Sequence, residues 1–514
     1  MKKQSIIYAI SWLLFSSAYF LLSLWLQSRG FYNLEAYFIE YKTLLITKFE
    51  TGFLRTFFFT KPTILYLGSL LISFVKQSQS TYIFNAILIG GLTNHLFLKG
   101  LKEKWSVRVF LIYVLFSPIV IYAAVSGGST GMYLIFYFAF FTLLFKYTTS
   151  YSVFHLTLLS LLLGIFVLFD LNLLKFLLLL IPVFFFVNFS KAKGINGSFY
   201  YRAAIILSND SQRRKFFTGL FSSIFIVAFI PLMSILIYLI INKVFAGKFF
   251  YFVDGIGDYW SSYSTLYPLN FTDNSIWERI AENSLTFMLP LVFVSGLALI
   301  QLFNFDGSVT KNALVLLGLL FCYSEIAENR ILNLNLHNLT LITATGLATV
   351  FYGQNFKNKK EKVFQIGFGL VIPVLMIFLE FYYFKFTVNT NEKLFMQSVI
   401  EKNESEYLNS LNGISSALNK QGQGRVLADD AIHYATLTKL NSGFTWEGHF
   451  SPDFLAAMQL PEIYADYIIV SKPAFLLYPN DVVAASLRRL DHFGISLDTE
   501  VLYEDKFSML LKVK

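Results

Sequence analysis

The chain has 514 residues, of which 55% are hydrophobic, 18% aromatic and only 14% charged. Soluble domains carry roughly 25% charged residues, so this chain cannot cover a water-facing surface of its own size, and its composition excludes a soluble globular protein and a disordered one. The net charge of +9 points to cytoplasmic loops that fix orientation rather than to nucleic acid. The single cysteine, Cys322, excludes an intramolecular disulfide framework and a cysteine-based zinc site.

A membrane-crossing helix takes about 20 mostly apolar residues. The first such stretch is 5–26, preceded by Lys2 and Lys3. Its apolar run is too long for a signal peptide and no small-residue cleavage site follows, so it is expected to be a retained anchor with its N-terminus inside. Further stretches at 81–99, 107–125, 130–146, 152–169, 173–189, 217–241, 284–303, 312–326, 335–352 and 363–385 bring the expectation to about eleven spans. The segment 63–75 is short for a span and suits an interfacial or re-entrant helix.

Charge decides between the two topologies. If 63–75 does not cross, Lys99, Lys102, Lys104, Arg108, Lys146, Arg213, Arg214, Lys215 and Lys357 all fall on the cytoplasmic side, as the positive-inside rule requires. Loops 27–80 and 242–283, and everything after about 386, then face outward. From 387 the chain turns polar. Helix-like stretches alternate with short apolar runs at 425–428, 467–470 and 508–513, which predicts a small α/β domain. The expected architecture is therefore mainly α: a polytopic helical bundle over 1–386, followed by an extracytoplasmic α/β domain over 387–514.

The first outer loop mixes Glu35, Glu40 and Glu50 with Lys42, Lys48, Arg55 and Lys61 among aromatic and aliphatic residues. Such an amphipathic pattern lies at a membrane surface, either with its charges solvated or with a carboxylate in reach of a lipid headgroup. Asp170 stands at the outer end of the fifth span, where an acid is functional or caps the next helix. Arg330 follows Glu325 and Glu328 and either pairs with them or binds phosphate; His337 comes seven residues later. In the loop 242–283, Asp254 and Asp258 lie among Tyr251, Tyr259, Trp260 and Tyr263. That mixture suits sugar stacking and hydroxyl binding, or an interfacial aromatic belt. Asp429 and Asp430 with His433 suggest a metal or acid–base cluster, although Asp430 is also placed to cap a helix, and His433 and His449 are too sparse for a zinc site.

The stretch Asn33-Leu34-Glu35-Ala36-Tyr37-Phe38 resembles the first-loop acidic motif of the GT-C glycosyltransferases, which include protein O-mannosyltransferases, oligosaccharyltransferases and bacterial aminoarabinose transferases. Lys61-Pro62-Thr63-Ile64-Leu65-Tyr66 is similar to a segment that follows it in some members. Ser117-Pro118 and Ser126-Gly127-Gly128-Ser129 are similar to their third and fourth helices, and Ala428-Asp429-Asp430 with Asp466–Val470 to their outer domain. The usual acid pair is reduced here to Glu35, with Asn33 two residues before it.

The resemblance implies an enzyme of the bacterial inner membrane. It would move a sugar from a polyprenyl-phosphate donor to a lipid, polysaccharide or protein acceptor on the outer face. Glu35 would be the catalytic base. Arg330, Lys61 and Arg55 would bind the donor phosphate, arginine being the better bidentate partner, and Asp170, Tyr66, His337, Asp254 and Asp258 would bind sugar or acceptor. It fixes no cofactor and admits a divalent metal; membrane lipid is a partner and nucleic acid is not. A polysaccharide polymerase or ligase is the rival enzyme, and a transporter or flippase of lipid-linked glycans the rival outside catalysis. Few mid-span charges and no internal repeat weigh against the transporter.

Overall fold

A computed structural model describes residues 2–48, 65–74, 79–102, 105–191, 199–251, 336–352, 362–387, 389–402, 406–449, 451, 453–472 and 481–514. The expected spans 284–303 and 312–326 lie outside these residues. The N-terminal part contains α1 (Lys2–Ser28), α2 (Leu34–Lys48), α3 (Leu65–Ser73), α4 (Ser80–Lys102), α5 (Trp105–Phe116), α6 (Pro118–Val125), α7 (Thr130–Ser150), α8 (Val153–Val167), α9 (Lys175–Lys191), α10 (Phe199–Ser208), α11 (Asp210–Ala246), α12 (Leu336–Tyr352) and α13 (Lys362–Phe386). A 3-10 turn, Leu171–Leu174, links α8 to α9.

Four stretches among the described residues are long and apolar enough to cross a membrane: Ser5–Ser28, Ser80–Lys102, Thr130–Ser150 and Asp210–Phe245. In a bilayer every backbone polar group must bond within its own segment, which leaves the helix as the form such sequences take. Leu13, Leu21, Phe225 and Ile237 on α1 and α11 are exposed, and lipid rather than water is the solvent such surfaces fit. Helix α3 has nine residues, about 13 Å of rise, which is too short to cross by itself.

The expected span 107–125 is broken in two. Pro118 has no N–H to continue the helix, and Ser117 accepts a hydrogen bond from the Val120 N–H (3.3 Å) as the cap of α6. Helix α2 also departs from expectation. It is not a surface-lying amphipathic helix, because Ala36 and the run from Phe38 to Leu45 are buried. It packs against α3 and α4 on one side and the C-terminal domain on the other.

That domain follows α14 (Thr390–Ile400) and α15 (Glu406–Gln421), and consists of β1 (Gly424–Ala428), α16 (Asp430–Leu437), β2 (Phe444–Glu447), α17 (Phe454–Gln459), α18 (Pro461–Tyr464), β3 (Tyr467–Ser471), α19 (Val482–His492), β4 (Thr499–Glu504) and β5 (Ser508–Val513). The sheet order is β2-β1-β3-β5-β4. β1 runs parallel to β2 (Arg425 opposite Thr445) and to β3 (Leu427 opposite Ile468), whereas β5 is antiparallel to β3 and β4. Strand alternation sends Val426, Ala428 and Ile469 into a core continuous with the N-terminal helices. It sends Leu427, Ile468 and Val470 to a second core with Phe454, Ala457 and Val483. The sheet is thus covered on both faces, and α16 lies between it and α2.

Candidate functional site

Asn33 starts the site. Its side-chain oxygen accepts the Glu35 N–H (3.0 Å), and its amide nitrogen donates to the Ser126 carbonyl (2.9 Å). It therefore caps α2 and ties that helix to the loop between α6 and α7. Glu35, in the first turn of α2, accepts hydrogen bonds from the hydroxyl and the backbone N–H of Ser129. Ser129 stands at the N-terminus of α7, where backbone dipoles favour an anion. Burial raises the Glu35 pKa above the ordinary carboxylate value, and the Ser129 bonds only partly offset this.

Two glycines permit the approach. Gly127 has φ +68, which suits glycine, and a Cβ there would meet Ala36 at 3.0 Å. At Gly128 a Cβ would lie 2.5 Å from Glu35 Oε2 and 2.8 Å from Asn33 Nδ2.

Ser129, Tyr133 and Tyr137 repeat every four residues and so share one face of α7. The Tyr133 hydroxyl donates to Asp170 Oδ2 (2.8 Å), close enough to Glu35 to feel its charge. The Tyr137 hydroxyl bonds His337 Nε2 (2.6 Å). The His337 ring meets Tyr133 edge to face at 4.5 Å, and Tyr137 at 5.4 Å. Glu35, Asp170 and His337, singled out on three distant segments, therefore gather on one helix face. Asp170 lies between α8 and the 3-10 turn, where its backbone carbonyl accepts the Leu173 N–H while its side chain binds Tyr133. Tyr66 lies in α3, but its side chain is outside the description, as are Arg55, Lys61, Asp254, Asp258 and Arg330.

Sequence reasoning missed Tyr133 and Tyr137, although their spacing after Ser129 was a usable signal. It also passed over Glu380, a buried carboxylate on α13. Glu380 accepts from the Tyr113 hydroxyl, Ser117 Oγ (2.5 Å), the Ile119 N–H (3.3 Å) and Thr343 Oγ1 (3.3 Å). It clamps α5, α6 and α12 together at the Ser117–Pro118 break, and α6 leads into the loop that holds Glu35.

Glu40 is not a solvated loop acid. It is buried and accepts from Thr81 Oγ1 (3.2 Å). Burial pushes its pKa up to about 7, against its bonds from Thr81 and Gln79 and the charge of Lys439.

A second polar group lies where α2 meets the C-terminal sheet. Asp429, not Asp430, caps α16, accepting the Ala431 N–H (3.1 Å). Asp430 instead accepts from Tyr41 Oη of α2 (2.9 Å) and contacts His449 Nδ1 (2.5 Å). Trp446 Nε1 donates to the same Tyr41 oxygen (2.8 Å). His433, expected beside the two acids, bonds Asp481 (3.3 Å) and Ser471 (3.2 Å) instead. The imidazole that joins the acids is His449, which follows β2 in the chain; β2 pairs with β1, whose end leads into the two acids.

Among the described residues, Asp429, Asp430 and His449 are the group whose ligand atoms lie within 4.8 Å of one another. Two carboxylates and an imidazole are a donor set that suits a divalent ion. Glu35 belongs to no such group among the described residues. No family model matches the chain, and no curated protein matches it significantly.

Proposed function

We propose that the protein is a membrane glycosyltransferase of GT-C type, moving a sugar from a polyprenyl-phosphate donor to an acceptor hydroxyl at the outer face of a bacterial inner membrane. The acceptor is a lipid, a polysaccharide or a protein. The observation that carries this reading is the gathering of Glu35, Asp170 and His337 around Tyr133 and Tyr137. The same proposal includes about eleven spans, a cytoplasmic N-terminus and an extracytoplasmic C-terminal domain, on the strength of where the basic residues fall.

In this reaction the Glu35 carboxylate takes the proton of the acceptor hydroxyl as that oxygen bonds to the anomeric carbon. The carbon–oxygen bond to phosphate breaks, and polyprenyl phosphate leaves with the electron pair. A carboxylate with a raised pKa holds a proton better than a solvated one and so is the stronger base. Asp170 and His337 hold sugar hydroxyls beside the two tyrosine rings. Arg330, Lys61 and Arg55 are assigned the departing phosphate, whose growing charge cations stabilise. A divalent ion would be held by Asp429, Asp430 and His449 of the C-terminal domain; no step of the transfer runs through it.

The test is a transfer assay with purified protein in lipid nanodiscs, given a polyprenyl-phosphate sugar and an extract of cell-envelope acceptors. Label should pass to the acceptor with release of polyprenyl phosphate, and a deletion strain should accumulate the glycan precursor. Movement of intact donor across the bilayer, with the sugar–phosphate bond unbroken, would make the protein a flippase instead.

A further inference from the structure

We propose that the C-terminal domain sets the place of the Glu35 carboxylate by gripping Tyr41 of α2, which makes Tyr41, Asp430 and Trp446 positioning residues for the base. The inference deepens the reading of Glu35 as the base of a glycosyltransferase and rests on that reading. Tyr41 is fully buried. Its Oη donates to Asp430 Oδ2 (2.9 Å) and accepts from Trp446 Nε1 (2.8 Å). Its ring lies 5.8 Å from that of Trp446, tilted by 34°. One phenol of α2 is thus held by an acceptor, a donor and a ring of the C-terminal domain.

Both gripping groups are fixed from within that domain. Trp446 stands opposite Val426 in the pairing of β2 with β1. Asp430 opens α16, and its Oδ1 accepts the His449 backbone N–H (3.1 Å) and contacts His449 Nδ1 (2.5 Å). A Cβ at Gly448 would lie 2.6 Å from Asp430 Oδ2, so the close approach of this loop needs glycine. The acceptor is therefore already aimed where Tyr41 meets it.

Neighbouring contacts along α2 hold it less exactly. Phe38 meets Tyr434 edge-on at 5.6 Å, and the Lys439 ammonium lies 5.1 Å from the Tyr37 ring centroid. Ring contacts of this kind survive a small slide or turn of the helix, whereas a hydrogen bond weakens steeply as it misaligns. Burying a carboxylate is costly unless it is hydrogen-bonded, and fixing register is the best-attested use of a buried polar group. Register matters at the other end of α2. Glu35 and Tyr41 are six residues apart, about 9 Å along the helix and a third of a turn around it. Glu35 accordingly meets Ser129 of the α7 end while Tyr41 meets the C-terminal domain. Asn33 ties the first turn to the Ser126 carbonyl (2.9 Å), and the grip on Tyr41 fixes how far the helix rotates and slides about that tie. A misplacement of about 1 Å at a reacting group costs roughly a hundredfold in rate.

The experiment uses the full chain in lipid nanodiscs and two readouts. Tyr41→Phe keeps the ring and removes the bond to Asp430; kcat should fall about tenfold with KM nearly unchanged. In a Glu35→Gln background the same substitution should leave the residual rate as it is, because its effect runs through Glu35. Equal fractional losses in both backgrounds would reflect lost folded protein alone and overturn the proposal. The second readout needs no sugar donor: labelling of Glu35 by dicyclohexylcarbodiimide, located by peptide mass spectrometry. Tyr41→Phe should change the labelling rate of Glu35 by roughly threefold or more and leave that of Asp210, at the start of α11, unaltered. A changed labelling rate with no transfer by the wild type would uphold the positioning and sink the glycosyltransferase reading. Identical labelling of Glu35 in wild type and variant overturns the positioning. Trp446→Phe removes a neutral donor to Tyr41 and should act in the same direction by about threefold, which keeps the test decisive if Tyr41→Phe does not fold.

Discussion

Tyr133 donates its hydroxyl to Asp170 across 2.8 Å, while its ring meets His337 edge-on at 4.5 Å. One side chain thus joins residues of two other segments on the face of α7 that begins at Ser129, the partner of Glu35. Tyr133→Phe keeps the ring contact and removes the bond to the acid. A hydrogen bond to a charged group contributes about 1.5–3 kcal/mol, so transfer should fall by roughly tenfold or more. The loss should appear chiefly in KM if Asp170 holds the sugar. Steady-state kinetics measure the split, and an unchanged kcat/KM would remove this pair from the site.

Gly128 is the second test of the geometry. A Cβ there would lie 2.5 Å from Glu35 Oε2, so Gly128→Ala must push the carboxylate from its place. Small misplacements of reacting groups cost about a hundredfold, and overpacking typically costs about 1–3 kcal/mol of stability. The variant should therefore reach the membrane, melt somewhat lower and transfer about a hundredfold more slowly. Near-normal turnover would mean that Glu35 does not act where it lies.

The acid limb of the pH–rate profile tests the state of Glu35. Burial holds its folded pKa above the ordinary 4.5, and a base works deprotonated. The rate should therefore rise with pH, and the midpoint of the rise should lie above 4.5. Stability carries the opposite sign. The folded state binds this proton more tightly than the unfolded one, so the contribution is fully present below the unfolded pKa and declines as pH rises through the folded one. A rate limb at or below 4.5, absent from a Glu35→Gln background, would contradict this assignment.

The sequence was legible where lipid dictates the pattern. Long apolar runs had to become helices, and polar residues at their ends, such as Asp170 and His337, stood out against them. Contacts distant in sequence were not legible. Nothing in the residues around Tyr41 foretold that its hydroxyl would bond Asp430, so α2 read as a surface helix when it is buried beneath the C-terminal sheet. Glu380 was hidden because one acid barely lowers the hydropathy of a long apolar run. Strands Phe444–Glu447 and Thr499–Glu504 lack a continuous apolar run and take their form from their neighbours. The cap fell to Asp429 rather than Asp430 because the helix begins one residue earlier than the pattern implied, within the usual uncertainty of helix ends.

Glu380 gives a stability prediction separate from the chemistry. Glu380→Leu takes the acceptor from Ser117 Oγ and leaves the Tyr113 hydroxyl only Thr343 Oγ1 (3.1 Å) to bond, and each unsatisfied buried polar group costs about 1–3 kcal/mol. Glu380→Gln keeps an acceptor and should lose less. Thermal unfolding in detergent should rank wild type above the glutamine variant, and that above the leucine variant. A leucine variant as stable as wild type would show that the Ser117–Pro118 break does not depend on this carboxylate.

Whether the proposed base is Glu35 is decided by comparing transfer by Glu35→Gln and Glu40→Gln in one preparation. The amide at position 35 keeps the shape and removes the basicity. Position 40 is the control because burial already pushes its pKa to about 7, so the amide resembles its neutral form. General-base catalysis contributes about 10²–10⁴-fold. Glu35→Gln should lose activity in that range with normal folding and membrane content, while Glu40→Gln should transfer at close to the wild-type rate. Full activity in Glu35→Gln, or equal losses in the two variants, would contradict the account and move the base elsewhere.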